Sequence, residues 1–120
     1  MAWDFESDRP IYTQLLEKIQ QMIISGKYQP GDRLPSVRDL STEAEVNPNT
    51  MQRALQELER QGLVYSQRTS GRMITDDIVL IKAMKQKVAI EYMKKFLGTM
   101  KELGFSKAEI IELLSDMNSE

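Results

Sequence analysis

The segment VNPNTMQRALQELERQGLVYSQR, residues 46–68, decides the fold. It opens on Asn47-Pro48, an asparagine suited to cap free backbone N–H groups and a proline suited to a helix's first turn. Stepping about 100° per residue from there, Met51, Ala54, Leu55 and Leu58 fall on one side and Asn49, Gln52, Arg53 and Gln56 nearly opposite. One face suits a core and the other suits polar contacts. Gly62 is a helix terminator, so the spacing predicts a helix over 48–61. LVYSQR and RMITD then read as two short strands around Thr69-Ser70-Gly71, a hairpin.

Upstream, Glu45-Val46-Asn47 is a tight break. Before it, Ser36 is placed to cap a short helix over 37–44, with Asp39 where a capping box usually has Glu or Gln, and with Val37, Leu40 and Ala44 as its apolar stripe. Pro30-Gly31 marks a turn, and Arg33-Leu34 reads as a minimal extended segment before Pro35. Ile11, Leu15, Ile19, Met22 and Ile23 form an amphipathic helix that opens after Asp8 and Pro10 and closes on Gly26.

Downstream, Asp76 and Asp77 start a long helix; two adjacent carboxylates supply too few oxygens for a hard cation. Ile81, Met84, Val88, Tyr92, Phe96, Met100 and Leu103 recur along it at helical steps until Gly104. Ser106 and Glu109 make a capping box, and Phe105 is placed to staple onto Ile110. The last helix is expected to reach about Asp116 and to bury Ile110, Leu114 and Met117. The methionines read as core or dimer packing.

A chain of 120 residues holds one full core and an appendage. With no cysteine and no histidine it lacks thiolate metal sites, disulfides and the commonest general base, and it has no glycine-rich phosphate loop. We therefore expect no enzyme, no cofactor and no metal. The start, MAWDFESDRP, is acidic without a cationic and apolar run, and no segment reaches the length of a membrane span, so the expected location is cytoplasmic, with no membrane partner. A net charge of −2 is unusual for a nucleic-acid binder. Its distribution is more telling: residues 46–56 hold Arg53 and no acid, and residues 60–75 hold Arg60, Arg68 and Arg72 and no acid.

Two helices joined by a short break, the second polar on its free face and followed at once by a basic hairpin, have the order of a winged helix-turn-helix. In that motif the second helix lies in the major groove with its first residues at the base edges. Asparagine and glutamine pair with adenine and arginine with guanine, and the N–H groups near Pro48 and Asn49 suit a phosphate. A solvated helix face is the plain alternative for Asn49, Gln52, Arg53 and Gln56, a surface pairing with Asp39 or Glu43 for Arg38, and ordinary surface charge for Arg68 and Arg72. A winged helix that binds protein instead of DNA is the rival function.

PIYTQL, QPGDRLPSVRDLS, VNPNTMQRALQELERQGLVYSQR and the glycine at 71 closely resemble the GntR family of bacterial regulators, over residues 10–75. The tail, ending in LGFSKAEIIELL, resembles the YtrA-type branch, which lacks a large effector domain. The resemblance implies a mainly α fold with a small β-hairpin: a winged helix-turn-helix over 1–75 and a two-helix dimerisation tail over 76–120. It implies a homodimer on double-stranded operator DNA, regulating its own operon, often one encoding a transporter. It also implies that Arg38 contacts DNA, that Asn47, Asn49, Thr50, Gln52 and Arg53 line the start of the recognition helix, and that Arg68 and Gly71 place the wing in the adjacent groove. The sequence specifies no small-molecule effector. Two departures stand out. A wing of this branch resembles TRRGKGTFV, whereas Gln67, Thr69, Ser70, Arg72 and Met73 depart from it here, with Arg72 placed to replace charge lost at the tip. Glu45 stands where glycine is common, and a left-handed residue there costs glutamate about 1 kcal/mol more than glycine.

Overall fold

The computed structural model describes residues 3–117. Its elements run α1 (Ile11–Ile24), α2 (Val37–Ala44), α3 (Pro48–Arg60), β1 (Val64–Gln67), β2 (Gly71–Ile74), α4 (Ile78–Glu102) and α5 (Lys107–Asp116). This is a mainly helical chain with one antiparallel hairpin, the winged helix-turn-helix class expected. It divides into two compact units, the first extending through Lys85 and the second starting at Gln86.

In the first unit, α1 lies against α3, and α3 against α2 and β1. Leu15, Ile19 and Ile23 from α1, Leu40 from α2, and Met51, Ala54, Leu55 and Leu58 from α3 are fully or almost fully withdrawn from solvent. At roughly 1.5 to 3 kcal/mol for each large apolar side chain buried, this cluster is what holds the three helices in one arrangement. Ile11, expected in the stripe, is exposed on the first turn of α1. Gln14 is buried in its place, because both ends of its amide are used: Nε2 donates to the Glu6 and Arg9 carbonyls (2.8 and 2.9 Å) and Oε1 accepts from the Glu6 N–H (2.7 Å). The segment ahead of α1 is thereby tied down, and Trp3 Nε1 donates to Glu43 of α2 at 3.0 Å.

The hairpin register pairs Val64 with Ile74 and Gln67 with Gly71. Val64 and Ile74 are buried and anchor its base to the core, while its far end is exposed. The extended segment expected at Arg33-Leu34 pairs beside β2: Arg33 bridges Met73, and Leu34 N–H donates to the Arg72 carbonyl at 2.9 Å. Ile81 and Met84 of α4 also pack on this core. The compact unit thus continues past residue 75 into the first turns of α4.

In the second unit, α4 ends at Glu102, and Gly104 two residues on turns the chain with a φ of +95° that a glycine adopts without cost. The capping box forms, Glu109 N–H donating to Ser106 Oγ (3.2 Å) and Ser106 N–H to Glu109 Oε1 (2.8 Å). Of the residues expected to be covered in and just after α5, Ile110 is buried, but Leu114 and Met117 are not; Tyr92 and Phe96 of α4 and Leu103 just past its end are exposed as well. Helical periodicity marks these side chains as one apolar set but does not say what covers them. Among the described residues no helix is long and apolar enough to cross a membrane.

Candidate nucleic-acid interface

Ser36 Oγ accepts from Asp39 N–H at 3.0 Å, so α2 starts where expected, although the Asp39 carboxylate does not return a bond to the Ser36 N–H and only half of the box is formed. It ends at Glu45, which takes φ 58° and ψ 51°, the left-handed conformation. Glutamate fills the position that favours glycine. The turn is closed by N–H groups of Glu45 and Val46 donating to the Ser41 carbonyl.

Asn47 then caps α3, its Oδ1 accepting from Asn49 N–H at 2.7 Å, with Pro48 in the first turn. The helix stops after Arg60, one residue short of the expected 61. Gly62 N–H donates to the Glu59 carbonyl (3.0 Å) and Leu63 N–H to that of Leu58 (3.1 Å), the paired closure of a Schellman end. Gly62 has φ +83°, so the backbone favours glycine, and a β-carbon there would lie 3.2 Å from a Leu80 methyl, a contact that Leu80 would have to yield to.

These caps fix the rotation of α3. Asn49, Arg53 and Gln56 point to solvent, Gln52 and Thr50 are half-buried, and the opposite face is the core. Asn47, Asn49 and Thr50 are thus gathered at the helix start, where the Asn49 N–H is taken by the cap and the Met51 N–H by the Asn47 carbonyl, leaving the Thr50 N–H without an acceptor among the described residues. Arg38 is exposed on α2 and borders a shallow groove that also includes Thr42, Val46 and Pro48. It has no ion pair among the described residues, and Glu43 is hydrogen-bonded to Trp3 instead. A second groove runs between the start of α2 (Pro35, Ser36, Val37) and the hairpin (Ser66, Gln67, Gly71, Arg72). Arg68 is exposed in the hairpin turn, and Gly71 closes that turn with φ +83°.

The basic charge is less free than the sequence suggests. Arg60 pairs with Glu57. Arg72 is correspondingly not a replacement for charge lost at the tip: its Nε donates to Glu59 Oε1 at 2.9 Å and its side chain is only 17% exposed. The reason is the register, which sets Arg72 across from Ser66 and both over Glu59; Ser66 Oγ donates to Glu59 Oε2 at 2.7 Å. The Ser66 hydroxyl and then the Arg72 guanidinium hold the Glu59 carboxyl below the usual carboxylate range. Arg53, though exposed, lies over the Tyr12 ring with its guanidinium carbon 4.1 Å from the centroid. That stack presents one face of the cation outward. Arg68 alone of the four has no such partner among the described residues.

Tyr12, Glu59 and Ser66 are participants that sequence reasoning missed. For Glu59 a signal existed: Glu57 and Glu59 are the only acids between Val46 and Thr75, and each takes one arginine. For Tyr12 none existed, because its partner is on another helix.

The family description "Bacterial regulatory proteins, gntR family" matches residues 11–74. The uncharacterized HTH-type transcriptional regulator YhcF of Bacillus subtilis is 39% identical over 108 residues, covering 90% of this chain and 89% of that protein. The HTH-type transcriptional repressor YtrA of the same organism is 40% identical over 74 residues, 62% of this chain and 57% of that protein, in line with the YtrA-type resemblance. A solved GntR family transcriptional regulator from Listeria monocytogenes superposes with a TM-score of 0.88 at 37% identity, over 95% of this chain and all of that one.

Proposed function

This chain belongs to the GntR family of bacterial regulatory proteins and is a DNA-binding transcription regulator, and from that premise we propose that it acts in the cytoplasm as a homodimeric repressor of its own, transporter-type operon. The observation that carries the DNA reading is the outward face of α3: Asn49, Gln52, Arg53 and Gln56 above a core-facing stripe, beside a hairpin bearing Arg68. Asn49, Gln52 and Gln56 meet base edges, where a bidentate pair gives about 1 to 3 kcal/mol of discrimination. Arg53, steadied on Tyr12, acts beside them. Arg38, Asn47 and Thr50 hold backbone phosphates around the start of α3, and Arg68 with the Gly71 turn follows the adjacent groove. Asn47 is left with its amide N–H groups for this, since its oxygen serves the cap.

Dimerisation falls to the tail over residues 76–120, whose exposed Tyr92, Phe96 and Leu103 need covering. A two-fold pair sets its recognition helices about 34 Å apart, one turn of DNA, or a multiple of it. The test is anisotropy on DNA from upstream of the protein's own gene across a salt series. The expected result is tight binding of one palindromic segment, with log affinity falling linearly in log salt, and with a shallower slope for Arg38→Ala. Binding without sequence preference, or a slope near zero, would refute the reading and favour a protein-binding winged helix.

A further inference from the structure

Glu59, Arg72 and Gln52 form a chain of contacts from the hairpin to the reading face of α3. Glu59 accepts from Ser66 Oγ at 2.7 Å and from Arg72 Nε at 2.9 Å, which anchors the guanidinium over α3. The Nη1 of that guanidinium then points at Gln52 Oε1, 3.5 Å away. Gln52 and Glu59 are two turns apart on the same side of α3, so a single arginine spans them. The last link is long, and its polarity matters more than its strength. A guanidinium has donors and no acceptor, so the only part of the Gln52 amide it can face is the oxygen. The amide NH2 is turned the other way.

Glutamine reads adenine by using both ends of the amide, the oxygen accepting from N6 and the nitrogen donating to N7. With its oxygen drawn toward Arg72, Gln52 offers DNA mainly two donor hydrogens. Those match guanine, which shows two acceptors, O6 and N7, on its major-groove edge. Building on the DNA-binding reading, we infer that Arg72, a wing residue held by Glu59, is a positioning residue that sets the base preference of Gln52, favouring guanine over adenine at one position of each half-site. The chain therefore carries in its wing a determinant of specificity that touches no base.

Selection of bound sites from random DNA, with sequencing, tests this on the full chain. Wild type should enrich guanine at one position per half-site, and Gln52→Ala should flatten that position while leaving the others, which identifies it. Arg72→Met removes the donors at similar length and should move that position from guanine toward adenine by about 3- to 10-fold in relative enrichment, other positions changing less than 2-fold. Thermal melts accompany each variant; should Arg72→Met not fold, Glu59→Gln, which loosens Arg72 without removing it, should relax the same position. An unshifted preference in a folded Arg72→Met or Glu59→Gln protein, or a uniform loss at all positions, overturns the inference. Wild-type protein that enriches no site at all refutes the DNA-binding reading instead, so the two failures are separable.

Discussion

Replacing Glu45 with glycine should stabilise the helix-turn-helix, and the structure allows the size of the effect to be worked out. Glu45 sits at φ 58° and ψ 51° and is the one non-glycine residue with positive φ among the described residues. Holding an L-residue with a β-carbon there costs roughly 1 to 2 kcal/mol, which glycine escapes. Against this, glycine gives the unfolded chain more freedom, worth about 0.4 to 1 kcal/mol. The side chain itself is exposed and makes no hydrogen bond or ion pair among the described residues, so its removal loses no contact. The net gain is about 0.5 to 1 kcal/mol, which for a unit of this size raises Tm by roughly 2 to 8 °C. Circular dichroism melts of wild type, Glu45→Gly and Glu45→Asn at one protein concentration measure it. Asparagine, which tolerates the left-handed region better than glutamate, should fall between the other two. A Tm for Glu45→Gly equal to or below wild type would show that the turn is not strained, and the reasoning would fail.

Three further outcomes follow from the same structure. Leu55 is fully buried, so Leu55→Asp should abolish the cooperative melt and the helical signal as well as DNA binding, an unpaired buried charge costing several kcal/mol; a mutant that melts like wild type would mean that α3 is rotated. Glu59, lowered from its ordinary value of 4.5 by Ser66 and Arg72, contributes stability that is present above that value and lost as pH falls through the folded value. Glu59→Gln should therefore lower Tm at neutral pH and converge with wild type in acid once the pH has fallen through the lowered folded value, while a gap independent of pH would deny the carboxylate that role. In the tail, Phe96→Glu with Tyr92→Glu should turn a dimer into a monomer in sedimentation at tens of micromolar, since a micromolar Kd corresponds to about 8 kcal/mol and a few apolar side chains supply much of it; an unchanged sedimentation coefficient would place the dimer contact elsewhere.

What short-range physics controls could be read from the residues alone. Asn47-Pro48 and Gly62 bound α3, Ser106 with Glu109 starts α5, and the alternation of Met51, Ala54, Leu55 and Leu58 with polar residues sets which face of α3 is outward. Each of these depends on groups within about one helical turn of one another, so the residues themselves carry the signal. Tertiary structure alone decided which groups far apart in the chain meet. Arg72 is thirteen residues from Glu59 and is matched to it only because the strand register places Ser66 and Arg72 together over α3. Arg53 finds Tyr12 through the packing of α1 on α3, and Arg33 finds Met73 because the hairpin folds back beside it. The same limit explains α4: periodicity grouped Ile81, Met84, Tyr92 and Phe96 as one stripe, yet Ile81 and Met84 pack on the winged-helix core while Tyr92 and Phe96 stay exposed. A helical repeat records that side chains share a face; what that face meets is settled by which other surfaces the folded chain, or a second copy of it, brings within reach.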